Sequence, residues 1–173
     1  MGKKLILLLV ILQSFFIGCK QQSYFFKIDE ALRFDESMVY AFGGDKFQFD
    51  NRFLIIIYIT QASCMTCVNR DLAEIAKIHN EYEGVDFLLL FSEYHFDALR
   101  NTKRILKIEF PMVIENAPGI LNLPEKFNIS LVDKNEQKSL LRYFPNPNPE
   151  TANDLYVFLK EVNRVILNKT DTD

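Results

Sequence analysis

Residues 53–67 read FLIIIYITQASCMTC: an unbroken apolar run from Phe53 to Ile59, a short polar link, and cysteines at positions 64 and 67. A run with no polar alternation is the pattern of a strand buried on both faces. Beyond the cysteines, Val68, Leu72, Ile75, Ala76, Ile78 and Tyr82 recur at helical spacing, and Gly84 closes that stretch. A second buried-strand run, VDFLLLF, follows at once. Strand, helix and strand with no room for a hairpin make a βαβ unit, so the two strands are expected to be parallel. The cysteine pair then falls where a central strand ends and a helix begins, the edge at which open α/β sheets carry their chemistry.

Downstream, Asp97–Lys107 reads as a second helix with Ala98, Leu99 and Leu106 on its core face. EFPMVIE is a short strand opened by Pro111, a position that tolerates proline. KFNISLVDKNEQKSLLRYF gives two strands joined by a polar turn over Asp133–Gln137. In the last helix, capped by Thr151 or Asn153, Leu155, Phe158, Leu159, Val162 and Ile166 form one stripe. Upstream, SYFFKID precedes MVYAFGGDKFQFD, whose Gly43-Gly44-Asp45 predicts a hairpin turn. These elements describe an α/β domain with a central mixed sheet flanked by helices and an N-terminal β-hairpin extension. There is no internal repeat and no low-complexity segment.

The chain opens MGKKLILLLVILQSFFIGCK: Lys3 and Lys4, then an apolar stretch, then Gly18 directly before Cys19. This is the layout of an export signal, and the apolar stretch is short for a spanning helix, although an uncleaved anchor has the same composition. The closing FIGC resembles the lipobox of bacterial lipoproteins, with Phe16 where leucine is commoner. That resemblance implies lipidation at Cys19, which becomes the new N-terminus, and a domain facing the periplasm of a bacterial cell envelope. The expected division is a lipoprotein signal peptide over 1–18, tether and hairpin extension over 19–50, and the main domain over 51–173. Lys20 and the following QQS would hold the domain clear of the bilayer. At 49% hydrophobic, 25% charged and net charge −3, with no basic block, the composition gives no reason to expect nucleic acid as a partner.

Three chemistries compete for Cys64 and Cys67. A structural zinc site needs four ligands, and the pair supplies two. His79 lies along the same helix, about 22 Å from Cys64 at 1.5 Å per residue, and belongs to the helix surface. His95 follows the second parallel strand and emerges at the cysteine edge, yet leaves the ligand set one short. It reads otherwise as a partly exposed loop histidine. Copper(I) on two thiolates stays compatible. A structural crosslink closing so short a loop stabilises by roughly 2 kcal/mol, against nearly 5 for a loop of about a hundred residues. Redox chemistry fits best. Unpaired N–H groups and the helix dipole favour thiolate in the first helical turn, and CxxC thiols ionise below the free value of ~8.5. Cys64 is therefore expected to be exposed and activated. Cys67, drawn inward by Val68 and Leu72, is expected to be shielded and harder to ionise.

The segment FLIIIYITQASCMTCVNRDLAEIAKIHNEY resembles the active-site segment of the thioredoxin-like superfamily. FPMVIENA and LPEKFNISLVDKNEQ add the pattern of its TlpA-like, redoxin branch. The likeness covers about residues 51–167 and is nearest to short Bacteroidota-type lipoproteins, through PNPNPETANDLY. It implies a thioredoxin-like fold and a thiol–disulfide oxidoreductase in which Cys64 attacks and Cys67 resolves. The substrates would be protein disulfides, with a separate electron donor, no cofactor and a monomeric chain. Ser63, Met65, Thr66, Glu93, His95 and Pro124 would flank the site. The chain departs from the pattern in four places. Ser63 stands where an aromatic residue is usual, and there is no tryptophan. Met65-Thr66 lacks the common proline. The family's cis-proline position falls near Phe127 or Asn128, leaving Pro124 as the candidate. The buried acid maps to Tyr58, leaving Glu93 either as a substitute or as an exposed loop residue. A peroxidase would not usually keep its reactive cysteine in a CxxC. The rival class is a binding module: a thioredoxin-like lipoprotein whose groove holds a partner peptide beside a vestigial pair.

Overall fold

The structure is a computed structural model and describes residues 25–32, 48–114, 126–145 and 152–170. Six strands form one sheet: β1 (Phe25–Ala31), β2 (Phe53–Ile59), β3 (Val85–Phe91), β4 (Met112–Ile114), β5 (Asn128–Asp133) and β6 (Lys138–Tyr143). Their order is β1-β6-β5-β2-β3-β4. β2 and β3 are parallel along their whole length, from Phe53 beside Val85 to Ile59 beside Phe91, as the βαβ reading requires. β4 continues the parallel half, while β5, β6 and β1 are each antiparallel to their neighbours. Every residue of β2 is buried, which is why its sequence shows no alternation.

Alternate residues of β2 feed two cores. Phe53, Ile55, Ile57 and Ile59 join α1 (Met65–Ile78), α2 (Phe96–Leu106) and α3 (Ala152–Thr170) in the larger one. The α3 stripe of Leu155, Phe158, Leu159, Val162 and Ile166 is wholly inside it. Leu54, Ile56 and Tyr58 face the other way, with Leu88, Leu90, Leu32 and Phe49. Burying both faces removes water from the central strands, the dominant favourable term in holding such a sheet together.

The helical boundaries differ from the sequence reading in small, explicable ways. α1 gives way to a 3-10 turn at His79–Glu81, and Gly84, at φ 75°, turns the chain into β3. A side chain there would be strained, which is the physical use of glycine at that point. In α2, Leu99 is fully buried and Leu106 packs on the core, but Ala98 is exposed. Asn153 lies within α3 and is not its cap, while Thr151 and the Gly43-Gly44 turn lie outside the described residues. The segment before residue 51 is more than an appendage, because β1 is an edge strand of the central sheet and Leu32 and Phe49 are buried.

Candidate functional site

β2 ends at Ile59, and residues 60–63 make a tight turn before α1. The Ser63 N–H donates to the Thr60 carbonyl at 3.0 Å, and the Thr60 N–H donates to Ser63 Oγ at 2.9 Å. Their hydroxyls lie 3.2 Å apart. Ser63 thus closes the turn from within. A second clamp comes from the loop after β3. The Ser92 N–H donates to the Ile59 carbonyl at 3.0 Å. His95 Nε2 lies 3.0 Å from the Thr60 carbonyl and 3.2 Å from that of Gln61. Both partners are acceptors, so Nε2 carries the hydrogen. His95 is only 6% exposed, which corrects the expectation of a partly exposed loop residue. It is a structural staple for the turn that delivers Cys64.

Cys64 is the N-cap of α1 and is exposed; Cys67, in the first turn, is 8% exposed, and both are free thiols. The Cys64 side chain closes no cap hydrogen bond. The Cys67 N–H, then the Cys67 thiol and the Thr66 N–H, nevertheless face its sulfur and hold the thiol below its ordinary value of 9.0. Burial pushes the Cys67 thiol above that value, and Cys64 and Asp71 add to the push against an opposing Arg70. One exposed, readily ionised sulfur therefore stands a helical turn from one sheltered, reluctant sulfur. Met65 packs partly on the core, and Thr66 is exposed.

A buried carboxyl does lie near Cys67, at neither of the two positions considered from the sequence. Tyr58 faces the second core, away from α1, and Glu93 is exposed in the 3-10 turn Glu93–His95, so neither is a buried carboxyl near the thiols. Asp71, one turn beyond Cys67 on the same side of α1, is 2% exposed. Its Oδ1 accepts from Arg70 Nε at 2.8 Å, while its Oδ2 is buried without a hydrogen-bond partner. Burial pushes the Asp71 carboxyl above its ordinary 3.8, opposed by Arg70. The Tyr143 hydroxyl and Asp154 Oδ2 are also buried without partners, and Tyr143 feels the charges of Asp71, Arg70, Asp154 and Cys67. An open cavity of about 360 Å³ between α1 and α3 is lined by Asp71, Glu74, Ile78, Leu155 and Tyr156. Of this polar cluster, Asp71 borders that cavity. A signal for Asp71 was in the sequence, since it shares a helical stripe with Cys67 and Ile75.

His79 caps the C-terminal end of α1, the end away from the cysteines, its Nδ1 3.0 Å from the Ala76 carbonyl and its ring edge-on to Phe87 and Phe110. Asn128, near which the cis-proline position is expected, pairs with Tyr58 and so reaches the cysteine edge; Pro124 and Cys19 lie outside the described residues. Among the described residues, no three His, Cys, Asp or Glu side chains are grouped to hold a metal ion.

No protein-family profile and no curated protein matches the chain. Solved structures do. A provisionally named thioredoxin from Neisseria meningitidis superposes with TM-score 0.56 at 12% identity, over 87% of this chain and 94% of its own. The thioredoxin domain of a Bacteroides vulgatus thiol-disulfide oxidoreductase gives 0.49 at 12% identity, over 71% and 89%. A secreted Mycobacterium tuberculosis disulfide oxidoreductase gives 0.49 at 13%, over 68% and 92%. The mixed sheet with its parallel β2-α1-β3 unit and the Neisseria superposition agree, and this chain has the thioredoxin-like fold.

Proposed function

We propose that this protein is a thiol–disulfide oxidoreductase of the bacterial cell envelope, lipid-anchored at Cys19 and acting on disulfides of other proteins. The reading rests on one observation: an exposed thiol held below its ordinary pKa one turn from a buried thiol held above it. Thiolate is the nucleophile, so Cys64 is the sulfur equipped to attack. Its thiolate displaces one sulfur of the partner's disulfide, forming a mixed disulfide and releasing the first partner thiolate, which takes up a proton. Cys67 then passes its proton, through a bridging water, to the Asp71 carboxylate and attacks Cys64 Sγ. The Cys64–partner bond breaks, the second partner thiolate leaves, and the Cys64–Cys67 disulfide forms. Two electrons have passed to the partner, and an external dithiol returns them in the reverse sequence. Asp71 suits the acceptor role because burial already favours its protonated form. The same steps run backwards oxidise a partner.

The test is trapping in cells. Cys67→Ser leaves attack intact and blocks resolution, so mixed disulfides with envelope proteins accumulate; Cys64→Ser abolishes them. Reversed behaviour would exchange the two roles. If neither variant traps a partner, and the wild-type protein fails to reduce insulin disulfides, the binding-module reading replaces this one.

A further inference from the structure

The charges of the described residues are unevenly satisfied. Elsewhere, lysines and arginines other than Lys126 and Lys160 pair with a carboxylate, as Arg52 does with Asp133, Arg142 with Glu30 and Lys27 with Glu161. On α2 the pattern fails. Among the described residues Arg100, Lys103 and Arg104, with Lys107 at the C-cap, meet no carboxylate, in a protein of net charge −3. Their spacing of three and four residues puts them in one row along the helix. The negative end of the helix dipole gives a local reason for Lys103 and Arg104 in the last turn, but none for Arg100.

The row borders a hole. Phe91 at the end of β3, Phe96 at the start of α2 and Met112 of β4 enclose about 70 Å³ together with Arg100 and Lys103. At ~30 Å³ for a water in bulk, that is room for the end of one apolar side chain. The row also begins at the reactive edge. Phe96 directly follows the His95 staple, while Thr102, on a different face of α2 from the row, ties the helix to α1 by donating from Oγ1 to Asn69 Oδ1 at 3.0 Å.

We propose that this flank of α2 is a docking track for an acidic segment of the partner polypeptide, seated by one apolar side chain in the Phe91–Phe96–Met112 hole. The inference rests on the oxidoreductase reading and names the substrate class for that site. A partner whose cystine meets Cys64 runs down α2, its carboxylates facing Arg100 and Lys103. Such complementarity raises the encounter rate and selects among partners more than it adds raw affinity.

The full-length reduced protein is mixed in single turnover with two cystine peptides, one flanked by Asp-Leu-Glu and the other by Lys-Leu-Lys. The wild type should reduce the acidic peptide about tenfold faster at low salt. The gap should close near 1 M salt, where the Debye length is about 3 Å. The double variant Arg100→Glu/Lys103→Glu should reverse the preference, with alkylation of Cys64 by uncharged iodoacetamide unchanged. Leu→Ser in the acidic peptide should slow the wild type. Equal preference in wild type and double variant overturns the proposal. If the wild type reduces neither peptide, the oxidoreductase reading fails. The track is then judged by fluorescence anisotropy of a cysteine-free acidic peptide: weaker binding to the double variant supports it, and equal binding overturns it. If the double variant instead loses only its binding to phosphatidylserine vesicles, the row is a lipid contact and the proposal is wrong.

Discussion

Replacing Asp71 by Asn keeps shape and removes the acceptor, and its consequence can be worked through. Side chains one helical turn apart lie about 5–6 Å from each other. At an effective dielectric constant of about 20, two unit charges at that distance repel by ~3 kcal/mol. Cys67 can therefore ionise beside an ionised Asp71 only at that cost, and passing its proton to Asp71 avoids it. In the variant Cys67 ionises more easily, but its proton has no buried acceptor. General-base help is commonly worth about 100-fold or more. The easier ionisation returns part of it, so resolution should slow roughly tenfold near pH 7. The assay is release of a chromogenic thiol from its mixed disulfide with Cys64, followed from about pH 5 to 9. The log rate of the variant should climb with pH where the wild type is flat. Misfolding is excluded by stability. Burial raises the Asp71 pKa, so its charge costs stability above that pKa, and the variant should be at least as stable at pH 7. That gain should vanish as pH falls below the ordinary 3.8. Arg70, with its side chain 25% exposed, can rehydrate when its partner goes. Resolution within twofold of wild type with an unchanged pH profile would refute the assignment.

His95→Leu should free the Thr60–Gln61 carbonyls, cost about 1–3 kcal/mol and slow Cys64 alkylation severalfold, with His95→Gln restoring part of both. Unchanged alkylation would show that the staple supports the fold alone. Asp133 is fully buried; burial pushes its carboxyl up, but Arg52, the Glu136 N–H and Lys169 together hold it below 3.8. Asp133→Asn should therefore cost about 3 kcal/mol at pH 7 by chemical denaturation. The deficit should disappear as pH falls through the lowered pKa of the wild type, where the wild type loses the same stabilisation. Cys19→Ser should abolish incorporation of labelled fatty acid, and label retained in that variant would sink the lipoprotein reading.

The parts of the fold visible in the sequence are those whose cause is local. β2 and β3 declare themselves because burial on both faces leaves only apolar residues, and α3 because its stripe repeats every three to four positions. The cysteine pair is legible because its spacing and its place after a strand suffice to locate it. What escaped depends on contacts distant in sequence. His95 reads as a loop residue because the carbonyls that bury it belong to Thr60 and Gln61, across the sheet edge. β1 gives no hint of its partner because β6 is the far end of the chain. Asp71 is hidden for a subtler reason. A charge on a core stripe looks like an irregularity in the pattern, although such a position is where a carboxyl must be buried.

The register of β1 bears on where the protein works. Phe25 lies beside Tyr143, which lies beside Ile129, which lies beside Ile57, so the chain enters the sheet at the level where β2 is about to end in the cysteine turn. Three strand spacings, about 14 Å, separate that doorway from β2. Residues 20–24 are all that join it to Cys19, and a chain of that length spans at most about 20 Å. If Cys19 carries a lipid, as proposed, the start of β1, at the level of the sheet where the cysteine turn lies, stays within about 20 Å of it.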